Sequence, residues 1–317
     1  MHRESITVIV PTYNSGRFIA DAIDSALAQT AAVTQIIVID DGSTDDTCAR
    51  LVPYQNRITL IHQSNQGAAA ARNAGLRIAA GDFIAFLDAD DVWHPRKLEA
   101  QLEVLHCRPE IQLIGTETFA HPGEHGPKIL ADAPVEEVSR DRLLVRNYFT
   151  TSSIVIRREV VQRVGEFDTT VSHTEDYEYW QRVAQLGVVA NLKSPLTGYR
   201  QVIGSISRRA DGVERGLGRI LQKLDEQNCW RGRSWMRRKA ISHMHYSIAH
   251  LHGAAGCHRL ALWKMLQSLA WYPLPYQRSE SKLALSRLRR TVVLLLRLVG
   301  LKRPESPLIV GGSTGDV

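Results

Sequence analysis

The sequence predicts an α/β fold of the doubly wound type, with a mostly parallel sheet, helices on both faces and a helical C-terminal region. Three observations predict it. Up to about residue 117, short β-branched runs alternate with longer stretches of helical periodicity, as in β-α-β units. Acidic residues directly follow two of the apolar runs, at the edge where parallel sheets bind ligands. After about residue 207 only helical patterns remain.

The elements of the first half follow from these runs in chain order. Strands are predicted at residues 6–10, 35–40, 58–62, 83–87 and 111–115. Helices are predicted between them at residues 17–29, 44–51, 68–79 and 95–105. Pro95 is expected in the first turn of the last helix, where its missing N–H costs nothing.

A Gly-, Pro- and His-rich stretch at residues 121–134 predicts an irregular excursion before the second half of the fold. A strand at 152–156 and a helix at 175–186 then extend the sheet as a mixed half. Further helices are predicted at residues 213–227, 234–250 and 258–270. We expect a catalytic domain at 1–207, a basic helical region at 208–303 and a disordered tail at 304–317.

Charge is distributed unevenly along the 317 residues, whose composition is otherwise ordinary for a globular protein. Residues 1–200 hold 19 Lys and Arg against 26 Asp and Glu, a formal charge of −7. Residues 201–317 hold 20 against 7, a formal charge of +13. The basic region is therefore expected to meet an anionic partner, while the acidic body argues against nucleic acid.

The four cysteines lie far apart and include no C-x-x-C pair, so the sequence predicts neither a zinc site nor a disulfide framework. A reducing compartment fits this usage. The first residues run straight into a predicted strand, without the apolar stretch and cleavage site of a signal peptide. We therefore expect a cytoplasmic protein.

Polar and acidic groups fall at three predicted strand ends: PTYN at 11–14, DD at 40–41 and DADD at 88–91. Because ligands bind at the carboxyl edge of open α/β sheets, we expect one shared crevice. Mg²⁺ and Mn²⁺ prefer oxygen ligands and complete their shell with substrate phosphates. Asp88 and Asp90, on one side of an extended segment by the two-residue period, are expected to address one such ion.

Each motif also has a purely structural interpretation. The run DGSTDD at 41–46 is a good turn before a helix that Ser43 or Thr44 would cap. The acids at 88–91 could be ordinary loop residues, although the apolar strand before them argues for a buried setting.

Six blocks, taken together and in this order, resemble the family 2 glycosyltransferases of GT-A fold. They are VIVPTYN (8–14), VIDDGSTDDT (38–47), NQGAAAARNAG (65–75), GDFIAFLDADD (81–91), GEFD (165–168) and TEDYEYWQRVA (174–184). The resemblance spans about residues 6–200. It implies metal-dependent, inverting transfer of a sugar from a nucleotide-diphosphate sugar, with UDP most expected, to an acceptor hydroxyl in cell-surface glycan or polysaccharide biosynthesis. Guanosine and thymidine donors remain open.

The resemblance also assigns residues to the donor nucleotide. Pro11 and Tyr13 look like the nucleoside pocket, with Tyr13 stacking on the base and Asp41 accepting a hydrogen bond from it. Arg72 looks like a diphosphate contact, the alternative being an exposed helix arginine.

In the Asp-x-Asp motif of the family, the last acid binds the metal and the first addresses the donor. By this resemblance Asp90 would bind Mn²⁺ or Mg²⁺, and Asp88 would contact the donor sugar or ribose. Asp91 would assist, or would cap the next helix.

The Glu175-Asp176 pair matches the Glu-Asp block of the family, whose second acid is the usual candidate base. Crowding of Glu175, Asp176 and Glu178 can raise a carboxylate pKa toward working pH, which suits a base. The alternative is that these acids only complement the helix dipole. Trp180 is expected to pack or to stack on an acceptor.

The block at Tyr199 and Arg200 departs from the family pattern. Many relatives carry a histidine two residues past the arginine, where this chain has Val202. The departure leaves a phosphate- or metal-closing role for this loop open, with Arg200 and Ser205 as candidates.

Residues 282–303 place basic side chains on one helical face and leucines and valines on the other. The apolar run is too short to span a bilayer but suits a helix lying on anionic lipid. The alternative is an amphipathic helix docked on the preceding helices.

Two other function classes compete. A sugar-phosphate nucleotidyltransferase would normally carry a Gly- and Lys/Arg-rich phosphate loop after its first strand, where this chain has PTYN at 11–14. The other class is a non-catalytic nucleotide-sugar-binding or nucleic-acid-binding module, and only the isoelectric point of about 9.2 suggests nucleic acid.

Overall fold

The computed structural model describes residues 4–121, 133–200, 209–274, 276 and 281–298. The strands are β1 Ile6–Thr12, β2 Gln35–Asp40, β3 Thr59–His62, β4 Phe83–Phe86, β5 Val92–Trp93, β6 Ile111–His121, β7 Val135–Glu137, β8 Val155–Arg157 and β9 Val188–Arg200. The helices are α1 Ile19–Leu27, α2 Thr47–Leu51, α3 Ala68–Ile78, α4 Lys97–Cys107, α5 Arg140–Leu143, α6 Arg158–Val164, α7 Glu175–Val183, α8 Ala210–Glu226, α9 Ser234–Ala254, α10 His258–Trp271 and α11 Ser281–Leu298.

One sheet of nine described strands organises the body, in the order β3-β2-β1-β4-β8-β6-β9-β5, with β7 also paired to β9. The strands β3, β2, β1 and β4 are parallel to one another. The strand β8 runs antiparallel to both β4 and β6, and β6 and β9 are again parallel. A parallel half is thus extended by a mixed half, as the sequence predicts.

Side chains alternate between the two faces of the sheet, and each face is covered by helices. Val8 and Val10 of β1 pack in a cluster that includes residues of α1 and α4. Ile9, between them, belongs to the opposite cluster, which includes residues of α3, α6 and α7. Helices on both faces confirm the doubly wound fold class.

Several element bounds differ from the expected ones. The helix α4 begins at Lys97, so Pro95 precedes it and does not occupy its first turn. Residues 151–153 form a 3₁₀ turn, and the strand that follows is β8. The long strand β9 was not predicted because it contains Pro195, and the register of β6 against β9 shifts beside this residue.

The helices α8 and α9 pack on the body through one apolar cluster. Leu144, Val171 and Tyr177 contribute from the body, and Ile220 and Trp230 from the helical region. The approach is close, because a Cβ atom at Gly216 of α8 would overlap the Ser172 carbonyl and the Thr174 hydroxyl.

Three expectations fall outside the described residues: the domain boundary near residue 207, most of the excursion at 121–134, and the tail at 304–317. Val202 and Ser205 also lie there.

Candidate active site

The loops after β1 and β2 are joined at the carboxyl edge of the sheet. Asp41 N donates to Thr12 O at 2.9 Å, and Asn14 N donates to Ser43 Oγ at 2.9 Å. Asn14 Oδ1 in turn accepts from Thr44 N at 2.7 Å. Ser43 and Thr44 therefore tie two loops together, and neither of them caps α2, whose N-cap residue is Asp46.

Asp41 is buried and shapes the loop before α3. Its Oδ1 accepts from Gln63 Nε2 at 2.8 Å and from Gln66 N at 2.9 Å, while Oδ2 accepts from Gly67 N at 2.8 Å. A carboxylate offers about four acceptor sites. Donors among the described residues occupy three of them, which leaves one position on Oδ2. Gly67 has a φ of 89°, which favours glycine at this approach to the carboxylate.

Tyr13 follows β1 and is 46% exposed, so its ring is accessible to a flat ligand. Pro11, in β1, is half-buried and lies in register with Ile39. The structure therefore brings Pro11, Tyr13 and Asp41 to adjacent strand ends, as the sequence predicts.

The acids after β4 form a tight turn, in which Asp91 N donates to Asp88 O at 3.0 Å. Asp88 and Asp90 were expected on one side of an extended segment, and this expectation was wrong because the segment is a turn. Ser152 Oγ fixes the turn from the other half of the sheet: it accepts from Asp88 N at 3.0 Å and donates to Asp91 Oδ2 at 2.6 Å.

Asp90 carries the features of a divalent cation ligand. Burial, together with repulsion from Asp88, raises the pKa of Asp90 to about 6. Among the described residues, no side chain is found donating a hydrogen bond to its carboxylate. A partly buried carboxylate beside a second one is a donor set that suits Mn²⁺ or Mg²⁺, since the ion neutralises both charges.

Asp91 has a structural role. It is 1% exposed, and its Oδ1 accepts from Arg200 N at 3.0 Å while Oδ2 is held by Ser152. Burial, then the nearby Asp90 and Asp88, raise the pKa of Asp91 well above its usual range. The expectation that Asp91 contacts a substrate or caps the next helix was wrong, because its oxygens instead hold β9 and residue 152.

Arg72 joins the donor side of the crevice to the acceptor side. Its Nη2 lies 2.8 Å from Asp88 Oδ1 and its Nη1 lies 2.8 Å from Glu175 Oε1. The residue is 5% exposed, so the alternative of an exposed helix arginine was wrong. The Nε atom of Arg72 is buried without a hydrogen-bond partner among the described residues.

Asp176, which follows Glu175, is held by three donors. Oδ2 accepts from Thr151 Oγ1 at 3.1 Å and more weakly from Asn147 Nδ2 at 3.4 Å, and Oδ1 accepts from Tyr177 N at 2.7 Å. Burial, and then repulsion from Glu175, raise the pKa of Asp176 to about 6. A carboxylate with such a pKa can take up a proton near neutral pH.

Asp176 also lines a cavity of about 430 Å³ between the body and the helical region. Leu217, Ile220 and Leu221 of α8 and Met244 of α9 form part of its apolar wall. This volume lies within the range of small-molecule sites. The cavity therefore gives a small molecule access to Asp176.

Trp180 is buried and does not line the surface of the site. It is 0% exposed, with its ring centroid 5.9 Å from that of Phe86 and 6.1 Å from that of Phe167. Of the two expected roles, packing is the observed one, and the expectation of an acceptor contact was wrong because a sugar cannot reach the ring.

Arg200 ends β9 beside the acidic turn. Its Nε donates to Asp90 O at 3.0 Å, its Nη2 lies 2.8 Å from Asp21 Oδ2, and its guanidinium carbon lies 4.6 Å from the centroid of Phe18. Arg200 thus binds the backbone of Asp90, the expected metal ligand. The Arg200 side chain is 13% exposed.

Sequence reasoning missed Asn147, Thr151 and Ser152, which hold Asp176 and the acidic turn. The polar run TTSS at 150–153, directly before an apolar strand, was the available signal. It resembles ordinary turn chemistry, and only the fold shows that it faces two acidic segments.

A family model described as Glycosyl transferase family 2 matches residues 7–165. The putative teichuronic acid biosynthesis glycosyltransferase TuaG of Bacillus subtilis is 34% identical over 209 residues, which cover 64% of this chain and 81% of that protein. An uncharacterized glycosyltransferase of Nostoc sp. is 32% identical over 216 residues, covering 62% and 64%. One of Rickettsia prowazekii is 29% identical over 181 residues, covering 55% and 57%. The chain thus spans less than two thirds of the length of the last two relatives.

Two solved structures share the fold. TarS 1-349 of S. aureus in complex with UDP-GlcNAc matches with a TM-score of 0.55 and 17% identity, covering 84% of this chain and 89% of that one. The mannosyltransferase PcManGT of Pyrobaculum calidifontis, in complex with GDP-Man and Mn²⁺, matches with a TM-score of 0.58 and 20% identity, covering 94% and 88%. At these identities the likeness establishes the architecture, and it confirms the expected GT-A type of fold.

Proposed function

The chain belongs to glycosyl transferase family 2, and we propose that it is an inverting, metal-dependent glycosyltransferase of the hexosyltransferase type. It would transfer a sugar from a nucleotide-diphosphate sugar to an acceptor hydroxyl. The observation that carries this proposal is the Arg72 bridge, which joins Asp88 of the acidic turn to Glu175. The bridge therefore holds Asp88, on the donor side, and Glu175 in one crevice. Glu175 directly precedes the candidate base, Asp176.

The donor nucleoside would lie at the ends of β1 and β2. The exposed ring of Tyr13 supports stacking on the base, and the unoccupied acceptor position on Asp41 Oδ2 supports a hydrogen bond from a base N–H. Pro11 would form the wall of this pocket. We propose a UDP-sugar donor, which agrees with the UDP-GlcNAc complex of TarS.

The diphosphate would lie near Arg72 and the acidic turn. Arg72 already bridges two carboxylates, so a phosphate would compete with Asp88 or Glu175 for one of its nitrogens. Asp90 would hold a divalent ion with help from Asp88, and the Mn²⁺ complex of PcManGT supports this assignment. Such an ion supplies charge neutralisation for the leaving diphosphate.

Asp176 would act as the general base. In its ionised form it removes the proton from the acceptor hydroxyl as that oxygen attacks the anomeric carbon and the bond to the diphosphate breaks. One displacement of this kind inverts the anomeric centre and needs no covalent enzyme intermediate. Glu175, bound to Arg72, is the second candidate.

The acceptor would belong to a cell-surface glycan or polysaccharide, a proposal supported by the teichuronic acid relative TuaG. We further propose that the helical region attaches to an anionic membrane surface. Among the described helices, none has the length and apolar content needed to cross a bilayer. We propose that this attachment is peripheral.

The orientation of the helix α11, which leaves several apolar side chains exposed, supports this attachment. Its fully buried Arg287 donates to Tyr272 O at 2.9 Å and to Leu274 O at 2.6 Å, while Leu288 and Val292 are each 53% exposed. Arg287 and Leu294 thus face the protein, where Leu294 packs against α9 and α10. Leu288, Val292 and Leu295 face outward. The neighbouring helix α10 also exposes Trp263, a residue type enriched at membrane interfaces.

A donor screen tests the proposed activity. Purified full-length protein would be incubated with Mn²⁺ and UDP-, GDP- or TDP-sugars, and release of the nucleoside diphosphate would be measured with and without Asp90→Ala. Metal-dependent release from one donor supports the proposal. Donor binding in the wild type without release or transfer to any acceptor would favour a non-catalytic binding protein.

A further inference from the structure

Three different metal-binding side chains meet at the end of β2, beside the proposed nucleoside pocket. Cys48 Sγ, in α2, lies 3.2 Å from Asp40 Oδ2, and His62 Nδ1, at the end of β3, lies 3.1 Å from the same oxygen. All three ligand atoms lie within 4.8 Å of one another. This cluster contains neither Asp88 nor Asp90.

The spacing is close to that of a tetrahedral site. With Zn–S of about 2.3 Å and Zn–N and Zn–O of about 2.0–2.2 Å, tetrahedral angles separate the ligand atoms by roughly 3.3–3.6 Å. The two measured distances to Asp40 Oδ2 are shorter by a few tenths of an ångström. Binding of an ion would therefore require small rotations of the Cys48 and His62 side chains.

The carboxylate is held in place from behind. Asp40 is 3% exposed, and Ser43 N donates to its Oδ1 at 3.1 Å, which leaves Oδ2 to face the other two ligands. Cys48 is exposed, and the His62 side chain is 59% exposed. An ion can therefore enter from solvent, and a fourth position remains open to water.

We propose that Asp40, Cys48 and His62 form a binding site for a borderline-soft divalent ion, Zn²⁺ being the natural candidate. Thiolate and imidazole ligands favour such ions over Mg²⁺, which prefers oxygen. Binding replaces the thiol proton of Cys48, which leaves to solvent, with a metal–sulfur bond. The sequence pattern does not reveal this site because Cys48 and His62 lie 8 and 22 residues after Asp40 and form no C-x-x-C pair.

The site connects directly to the nucleoside pocket. Gln63, which follows His62, donates its backbone N–H to Asp40 O at 3.0 Å and its side chain to Asp41 Oδ1 at 2.8 Å. Ser43 joins Asp40 to Asn14 in the loop after β1. A bound ion would therefore fix the ends of β2 and β3 relative to each other, and with them the carboxylate of Asp41.

Cobalt titration of the full-length protein tests the proposal, because Co²⁺ bound to a thiolate gives a charge-transfer band in the near ultraviolet. The reduced protein, with excess Mg²⁺ present to occupy all-oxygen sites, should show this band at one equivalent and lose it on addition of Zn²⁺. Cys48→Ser should abolish the band. His62→Ala should weaken Co²⁺ binding by more than about tenfold, as expected for a lost ligand.

Cys107→Ser is the matched control, since Cys107 is also exposed but lies outside the cluster. It should keep the wild-type band and affinity. Circular dichroism would confirm that each variant is folded. The proposal is overturned if the wild type shows no thiolate band, or if the band survives Cys48→Ser. Because donor is absent throughout, the outcome does not depend on whether the protein is a glycosyltransferase.

Discussion

Arg72 and Asp88 form a salt bridge in which Nη2 lies 2.8 Å from Oδ1, joining α3 to the turn after β4. Because the same guanidinium also holds Glu175, its loss leaves two carboxylates facing each other without a cation between them, the Glu175 side chain 12% exposed and that of Asp88 31% exposed. The bridge therefore supports both the shape of the crevice and the stability of the fold.

Arg72→Ala should lower the free energy of unfolding by about 3 kcal/mol, the scale for removing one partner of a buried ion pair. Urea denaturation measures this. Arg77→Ala is the control on the same helix, because Arg77 pairs with Glu166 in an exposed bridge that is worth about 1 kcal/mol or less. An equal decrease in the free energy of unfolding of the two variants would contradict the proposed contribution of Arg72 to stability.

Asp90→Ala should remove metal-dependent donor binding while leaving the fold intact, because Asp90 is the proposed ion ligand. Isothermal calorimetry with a nucleoside diphosphate and Mn²⁺ would measure the loss. Asp46→Ala, which removes an exposed acid paired with Arg50, should bind like the wild type. Unchanged affinity in Asp90→Ala would remove this residue from the metal site.

Asp176→Asn should leave donor affinity nearly unchanged and lower the transfer rate by roughly a hundredfold or more, the scale of a lost general base. Glu175→Gln is the comparison variant. Full transfer activity in Asp176→Asn, together with loss of transfer activity in Glu175→Gln, would identify Glu175 as the base.

The pH dependence gives a second readout for Asp176. The base must be ionised, and the pKa of Asp176 is raised to about 6. The transfer rate of the wild type should therefore be full above pH 7 and fall as the pH drops through about 6. A rate that stays constant down to pH 5 would contradict the assignment.

Leu288→Glu combined with Val292→Glu should weaken binding to anionic liposomes, measured by flotation. Each half-exposed side chain contributes about 1 kcal/mol of apolar burial, so partitioning should fall by roughly tenfold or more. Ile78→Glu, at an exposed apolar position of the body, is the control and should bind as the wild type does. High salt should weaken wild-type binding. Absence of binding in the wild type at low salt would refute the membrane proposal.

Gly216→Ala should destabilise the protein, because the new methyl group would meet the Ser172 carbonyl and the Thr174 hydroxyl. Gly218→Ala, two residues on in the same helix, meets nothing within 4 Å and should stabilise the protein by up to about 1 kcal/mol through helix propensity. Thermal unfolding distinguishes the two. Stabilisation by both would show that α8 can move away from residues 172–174.

The parallel half of the sheet could be predicted from sequence because its strands are short apolar runs separated by helical periods. The strand Gln35–Asp40 has the expected bounds. The strand β9 could not be predicted from sequence, because Pro195, Asn191 and Lys193 interrupt its apolar pattern. Its pairing with β6 is decided by tertiary contacts.

The sequence predicts which residues come together at the site. It does not predict which of their carboxylates are already bound by other residues of the protein. Asp88, Asp90 and Asp91 stand in one short acidic run, yet the structure buries Asp91 against Ser152 and the backbone N–H of Arg200, and it pairs Asp88 with Arg72. Partners 61 and 109 residues away from Asp91 make this distinction. The position of Trp180 in the core is likewise set by Phe86 and Phe167, which lie on other elements.

We expect the apolar cluster shared by the body and the helices α8 and α9 to couple their unfolding. Leu144, Val171 and Tyr177 would face water if those helices detached, so loss of the helical region should also destabilise the body that carries the acids at the sheet edge. A damaging substitution in α8 should therefore reduce the fraction of folded, active molecules, even where it touches neither substrate nor membrane.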